Sequence, residues 1–319
     1  MAHEEINVSV RPFHPTDLAT WQACPHRFDI LRMRGEKPSW RHVAALNGTA
    51  IHSVVRKIHE RALWAAEDEK EIKRLYLSEF QRAIDEPRFP SEANVPVWWG
   101  DGRGIEDAIL EFGGDAICML EGYRNDPRNQ SARILLCEQT WTATLAGEPW
   151  EGTPDQIRFI CPGHVEIVDL KTDAKRIHPT SLMMWPQGLT YALGIEIGTF
   201  TSPEPDTHLD VQVDRMTWLH LRDYVPYQRR GKRSDGTPYL AGDLRGDAFY
   251  SVNVTRQMLE SHQREMELFA LAVRDDRFER RPAGGPLSCA MCKVSDRCLS
   301  SFTGIVKIDP SLAIIESEE

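Results

Sequence analysis

The chain has 319 residues and a mass of 36.4 kDa, with 41% hydrophobic and 27% charged residues. That balance excludes collagen-like, low-complexity and globally disordered classes and leaves room for one large domain or two small ones. With 38 Lys and Arg against 48 Asp and Glu the net charge is −10, so a nucleic-acid role must rest on a local site and not on a basic surface.

No apolar run reaches the length of about 18 residues that would suggest a membrane-spanning helix. The first residues, Met1-Ala-His-Glu-Glu5, are polar, and no apolar h-region follows them. The sequence therefore predicts a cytoplasmic protein whose seven cysteines stay reduced.

In chain order, residues 15–34 read as a helix beginning at Thr16 or Asp17. Gly48 to Ala83 reads as one amphipathic helical stretch ending near Asp85-Glu86-Pro87. A Pro/Gly/Trp-rich loop covers 86–104. Ile105 to Tyr123 is helical again, with Asn125-Asp126-Pro127 as its stop. The period then changes to short β-rich runs over Ile134 to Leu145, Thr153 to Cys161 and His164 to Leu170. The last two are joined by a hairpin turn, Cys161-Pro-Gly-His164. Thr180 to Gly194 reads as helix despite Pro186, Val211 to Leu221 as strand, and residues 226–247 as a long loop. Thr255 caps a last helix running to about Val273, and an acidic, frayed tail closes the chain. Helices, three strands, then helix, strand and helix suggest an α/β core with helical additions at both ends.

The most informative stretch is Gly152-Thr-Pro-Asp155 followed by Asp169-Leu-Lys171. If the turn at 161–164 makes the two strands antiparallel neighbours, residues 155 and 169 sum to twice the turn centre and lie side by side. Two carboxylates held that close repel unless a cation sits between them, and hard oxygen ligands suit Mg²⁺ or Mn²⁺. Lys171 shares a strand face with Asp169 and can orient or polarise a water at the same ion. The plainer alternative is a surface hairpin with an Asp–Lys salt bridge.

Cys24 stands alone near the start, and Cys289, Cys292 and Cys298 cluster near the end. Four thiolates can hold tetrahedral Zn²⁺ or a [4Fe–4S] cluster, and Cys-x-x-Cys can be a redox dithiol. Cys118, Cys137 and Cys161 read as small buried residues. The run Arg229-Arg-Gly-Lys-Arg233, near Tyr224, Tyr227 and Tyr239, is a solvated loop or a grip on single-stranded DNA. Trp98 and Trp99 offer the same choice between stacking and anchoring their loop.

Taken together, these motifs resemble the PD-(D/E)xK nuclease superfamily. Gly152-x-x-Asp155 and Asp169-Leu-Lys171 are similar to its core. Gly48-x-x-x-His52 and Gln187-x-x-x-Tyr191 are similar to two helical motifs of its RecB-like branch. Cys24…Cys289-x-x-Cys292-x5-Cys298 is similar to the iron–sulfur exonucleases of that branch, which include CRISPR-associated protein 4 and many phage exonucleases.

The resemblance implies a restriction-endonuclease-like mixed sheet flanked by helices. A helical N-terminal part (1–130) would carry Cys24 and the His52 helix, the nuclease core would span 131–280, and the cysteine segment (281–319) would pack back on the N-terminal part. It implies His52, Asp155 and Asp169 as ligands of Mg²⁺ or Mn²⁺, with the Leu170 carbonyl as a fourth. Lys171 would be the catalytic lysine, and Gln187 and Tyr191 active-site residues near DNA. Cys24, Cys289, Cys292 and Cys298 would hold a [4Fe–4S] cluster. Glu138 matches a less constant acidic position and is not expected to be a ligand.

The implied activity is a metal-dependent DNA exonuclease acting on single-stranded DNA or ends, in repair, recombination, phage DNA metabolism or CRISPR adaptation. A helicase or an adaptation protein could be its partner, and it could form oligomers. The other reading is a DNA-binding or assembly subunit with a weak site. No Gly-x-x-x-x-Gly-Lys-[Ser/Thr] motif is present, so unwinding would need a separate chain.

Overall fold

The computed structural model describes residues 11–87, 92–99, 104–173, 178–201, 207–226, 246–279, 289, 292–294 and 298. Its centre is a five-stranded sheet of order β10-β9-β7-β6-β3. The strands are β3 (Ile134–Cys137), β6 (Gln156–Cys161), β7 (His164–Lys171), β9 (Gln212–His220) and β10 (Phe249–Asn253). The β7–β9 pair is parallel and the other pairs are antiparallel. β7 is central, with residues 165–170 all buried, so its run Val165-Glu-Ile-Val-Asp-Leu170 is apolar on both faces apart from its two acids.

Alternation along β7 feeds two cores. Val168 and Leu170 face α3 (Val43–Arg61), α4 (Glu69–Asp85) and α5 (Ile105–Asn125), joining Ile51, Ile58, Phe80 and Leu120. Val165 and Ile167 face the other way, into a core with α1 (Pro15–Ala23), α8 (Pro186–Ile197) and α9 (Arg256–Arg274). That second core includes Trp141 and Trp150 of a three-stranded sheet made of β4 (Trp141–Leu145), β5 (Glu148–Gly152) and β8 (Thr199–Phe200). A short parallel pair, β1 (Arg41–His42) with β2 (Val97–Trp98), lies at the start of α3. No described helix is long and apolar enough to cross a membrane.

The hairpin register is as the sequence predicts. Gln156 pairs with Val168, Ile157 with Ile167 and Phe159 with Val165, which sets Asp155, one residue before β6, opposite Asp169. Pro162 and Gly163 form the turn, with Gly163 at φ +78°, where glycine has no steric cost.

Several elements differ from expectation. The stretch 15–34 is three pieces, because Cys24 is extended ahead of Pro25. After it come α2 (Pro25–Phe28) and a π turn over Asp29–Met33. The stretch from 48 begins earlier, at Val43, where the His42 ring accepts the Ala44 N–H. It also breaks at Ala62, a left-handed residue (φ 53°) that no Gly or Pro announces.

The run 134–145 is two strands in two sheets, divided at Glu138 (φ 49°). The helix read over 180–194 is α7 (Pro179–Met183) and then α8, because Trp185 is extended before Pro186 and the proline takes the first helical position. Strands β5, β8 and β10 were not expected: β5 contains Pro149, and β8 is two residues long. Thr255 does cap α9, accepting the Met258 N–H.

Candidate active site

Asp155 sits where β6 has not yet begun, so its backbone is free to turn. Its carbonyl accepts the Glu138 N–H at 3.0 Å, and its Oδ2 accepts the Leu170 N–H at 2.6 Å. Asp169 is 3% exposed and forms an ion pair with Lys171, two residues on and on the same face of β7. His52 comes from α3, its Nδ1 3.1 Å from Asp155 Oδ1. α3 runs close to the end of β7 at Gly48, one turn before His52: a Cβ there would stand 2.9 Å from Thr172 Oγ1. That contact gives a physical reason for the glycine four residues before the histidine.

Burial pushes the Asp169 carboxyl up to about 6, with Lys171 opposing and the Asp155 charge adding to the rise. Burial acts on Asp155 too, but His52, Lys171 and the Leu170 N–H outweigh it and hold that carboxyl below its ordinary range. The His52 imidazole loses from burial and gains more from Asp155, ending above its usual value. Lys171 likewise loses from burial and is lifted by Asp169 and Asp155. Its ammonium is bracketed by two indoles, 5.0 Å from the Trp218 ring centre and 5.5 Å from that of Trp185.

Gln187 and Tyr191 share a face of α8. Gln187 Nε2 donates to the Tyr191 hydroxyl at 3.0 Å, and that hydroxyl donates to the Thr153 carbonyl at 3.1 Å. They therefore reach the site through the Thr153-Pro-Asp155 segment. Gly152 admits the ring, since a Cβ there would lie 3.0 Å from Tyr191 Cε1 and 2.6 Å from the Trp141 indole.

The structure thus brings His52, Asp155, Asp169, Leu170 and Lys171 into one group and hangs Gln187 and Tyr191 on its edge. It also adds Glu138. One ligand atom each from His52, Glu138 and Asp155 lies within 4.8 Å of the others. Arg56, one helical turn after His52, meets Glu138 at 3.4 Å and Glu60 at 3.6 Å. The sequence carries Glu138 in plain view. What places it is the left-handed backbone at that residue, which has no signature in Cys137-Glu-Gln-Thr140.

The donors fit a hard divalent cation: among the described residues one imidazole and two carboxylates, from His52, Glu138 and Asp155, form the group, while Asp169, ion-paired with Lys171, stands opposite Asp155 and is not part of it.

Cys24 separates α1 from α2. The Cys292 N–H donates to the Cys289 carbonyl at 3.1 Å, and Cys298 N–H to Val294 at 2.9 Å. The Ser39 N–H donates to the Lys293 carbonyl at 2.9 Å, which ties the cysteine segment to the N-terminal region. Cys161 is exposed at the hairpin tip, not buried, because the turn carries it past both cores. Burial pushes the Cys137 thiol up to about 12. Tyr224 is no stacking surface: it is buried and its hydroxyl donates to Asp126. Tyr227, Tyr239 and Arg229 to Arg233 lie outside the described residues.

The sequence profile of the PD-(D/E)XK nuclease superfamily matches residues 12–299. The chain belongs to this superfamily. Nucleases of the superfamily use divalent metals, and the group around His52, Glu138 and Asp155 gives this nuclease a candidate site for one. Among solved structures the nuclease is similar to a provisionally named exonuclease from Eubacterium rectale. The two are 10% identical, with a TM-score of 0.47, over 96% of this chain and 99% of that one. No curated protein matches it.

Proposed function

We propose that this nuclease is a metal-dependent DNA exonuclease that hydrolyses phosphodiester bonds of single-stranded DNA or DNA ends. The observation that carries the reading is the meeting of Asp155, Asp169 and Lys171 across one hairpin register with His52 from α3. In this reading His52, Asp155, Asp169 and the Leu170 carbonyl hold one Mg²⁺ or Mn²⁺, with Glu138 beside them. The cation, when bound, supplies Lewis-acid polarisation of the phosphate and an acidified water.

The chain's own residues do the rest. Lys171, bracketed by Trp185 and Trp218, is held where it can orient the attacking water and face the charge that grows on the phosphoryl oxygens. Tyr191 fixes the Asp155 segment through the Thr153 carbonyl, and Gln187 holds the Tyr191 hydroxyl. Both act by positioning and exchange no proton.

Cys24, Cys289, Cys292 and Cys298 are assigned to a [4Fe–4S] cluster that would pin the C-terminal segment (281–319) to the helical N-terminal part (1–130), with the nuclease core at 131–280. The cluster reading rests on the resemblance and on the donor chemistry of four thiols, and the Ser39–Lys293 bond bears only on the attachment of the segment. Repair, recombination, phage DNA metabolism and CRISPR adaptation are the settings such an enzyme serves, in the cytoplasm, with a helicase or an adaptation protein as a partner.

The test is digestion of end-labelled single-stranded DNA with Mn²⁺ by the full chain, alongside covalently closed circles. Stepwise shortening of the linear strand with circles spared is the expected result. A DNA-binding chain that shifts DNA without shortening it would contradict the reading. For the cluster, anaerobically purified protein should be brown and contain iron and sulfide. A colourless preparation with stoichiometric zinc would overturn that part alone.

A further inference from the structure

We infer that the aromatic cluster Trp40–His42–Trp98, with Lys293 beside it, is a stacking platform for the bases of single-stranded DNA on their way to the active site. The inference rests on the nuclease reading above and specifies how the substrate is held. The three rings form one group: His42 lies 4.8 Å from Trp98, Trp40 lies 5.4 Å from Trp98, and Trp40 lies 5.8 Å from His42. His42 and Trp98 are register partners of the β1–β2 pair, so the backbone fixes their approach. Trp98 as a residue remains 37% exposed, although two apolar cores were available to a residue of its size. The half-buried Lys293 ammonium lies 5.7 Å from the Trp40 ring centre, a cation–π contact at the edge of the cluster.

Position links this cluster to the chemistry. His42 caps α3 and His52 is ten residues along it, about 15 Å at the rise of an α-helix. Between them, Ala44, Ala45 and Thr49 are exposed and Gly48 is half-buried beside Thr172, the residue after Lys171. Along this side of α3 the residues between His42 and the Asp155–His52 pair are therefore small ones. The occupant is single-stranded nucleic acid because only unpaired bases offer their faces to exposed rings. The net charge of −10 points the same way: overall charge does not favour phosphates, so stacking has to contribute to holding the substrate.

The experiment is fluorescence anisotropy with a labelled oligothymidylate of about 20 nucleotides, a length that exceeds the site size of typical single-strand binders. The full chain is used in EDTA, which blocks cleavage. Trp98→Ala should weaken binding about tenfold, and Trp98→Phe, which keeps a stacking ring, should stay within a few-fold of wild type. In Mn²⁺, Trp98→Ala should raise KM on the long strand and leave kcat on a trinucleotide unchanged, a split that a folding defect would not produce. Unchanged affinity of Trp98→Ala in a chain that still cuts would overturn the platform and leave the nuclease reading standing. A wild-type chain that neither cuts nor binds the strand would overturn both.

Discussion

The two faces of the β6–β7 hairpin bury charged groups with opposite outcomes. On one face Glu166 accepts from Arg215 Nε at 2.8 Å and Nη2 at 3.1 Å and from the Thr217 hydroxyl. Across the register Arg158 donates to Gln156 at 2.7 and 2.9 Å and to Asn129 at 2.9 Å. Each of these charges is answered by partners within the protein. On the other face, at the end of the hairpin, Asp155 and Asp169 share one lysine and one imidazole, and Glu138 is added. Burial, with the Asp155 charge adding to it, lifts the Asp169 carboxyl to about 6 against the pull of Lys171 and His52. A buried polar set that closes on itself holds a fold together, whereas three carboxylates converging on Lys171, His52 and Arg56 form a site that a divalent cation can enter.

The largest effect that would break this contrast lies in the second set. Asp169→Ala or Lys171→Ala should lower the rate of Mn²⁺-dependent DNA cleavage by roughly 10²–10³-fold or more, with the far-ultraviolet spectrum and melting profile retained. Wild-type-like cleavage by purified Asp169→Ala protein would remove the site. Glu138→Gln comes next. If the carboxylate lies at the ion, Mn²⁺ affinity measured by calorimetry should fall about 10–100-fold, and an unchanged affinity would confine Glu138 to pairing with Arg56.

The closed set gives the converse. Glu166→Ala should cost about 1–3 kcal/mol in urea unfolding, less than a fully buried pair because the Arg215 side chain is 42% exposed. Activity per folded molecule should persist, and a loss of activity at unchanged stability would erase the distinction between the faces.

The smallest effect is on pH. A carboxyl raised in the fold, as Asp169 is, contributes stability that is fully present below its unfolded value near 3.8. That contribution is lost as pH rises through about 6. Metal-free protein should therefore lose the Asp169 contribution over that interval, and Mn²⁺ should raise the melting temperature more at pH 8 than at pH 5. An equal shift at both pH values would mean that Asp169 is not at the ion.

Much of this site was legible because a hairpin register is arithmetic. One turn, Cys161-Pro-Gly-His164, fixes which residues oppose each other, and the period of two fixes their faces. His52 was legible only through its motif. The structure gives the physical reason in Gly48, which brings the helix against Thr172.

What escaped are features set by backbone states that ordinary residues take up under tertiary pressure. Ala62 and Glu138 are left-handed without being glycine, so the sequence reads as a single helix where there are two, and as a single strand where there are two. The same blindness hid Glu138's closeness to Asp155. Pro186 is the opposite case: the sequence reads it as helix interior, whereas it starts α8, since the residue before it, Trp185, is held extended.

The proposal that Asp155 and Asp169 share one ion is tested most directly by counting Mn²⁺ ions bound per chain with electron paramagnetic resonance, in wild type and in Asp155→Asn, Asp169→Asn and Glu166→Gln. One bound ion in wild type and Glu166→Gln, and none at the same concentration in either aspartate variant, is the expected result. Full occupancy in Asp169→Asn would contradict it.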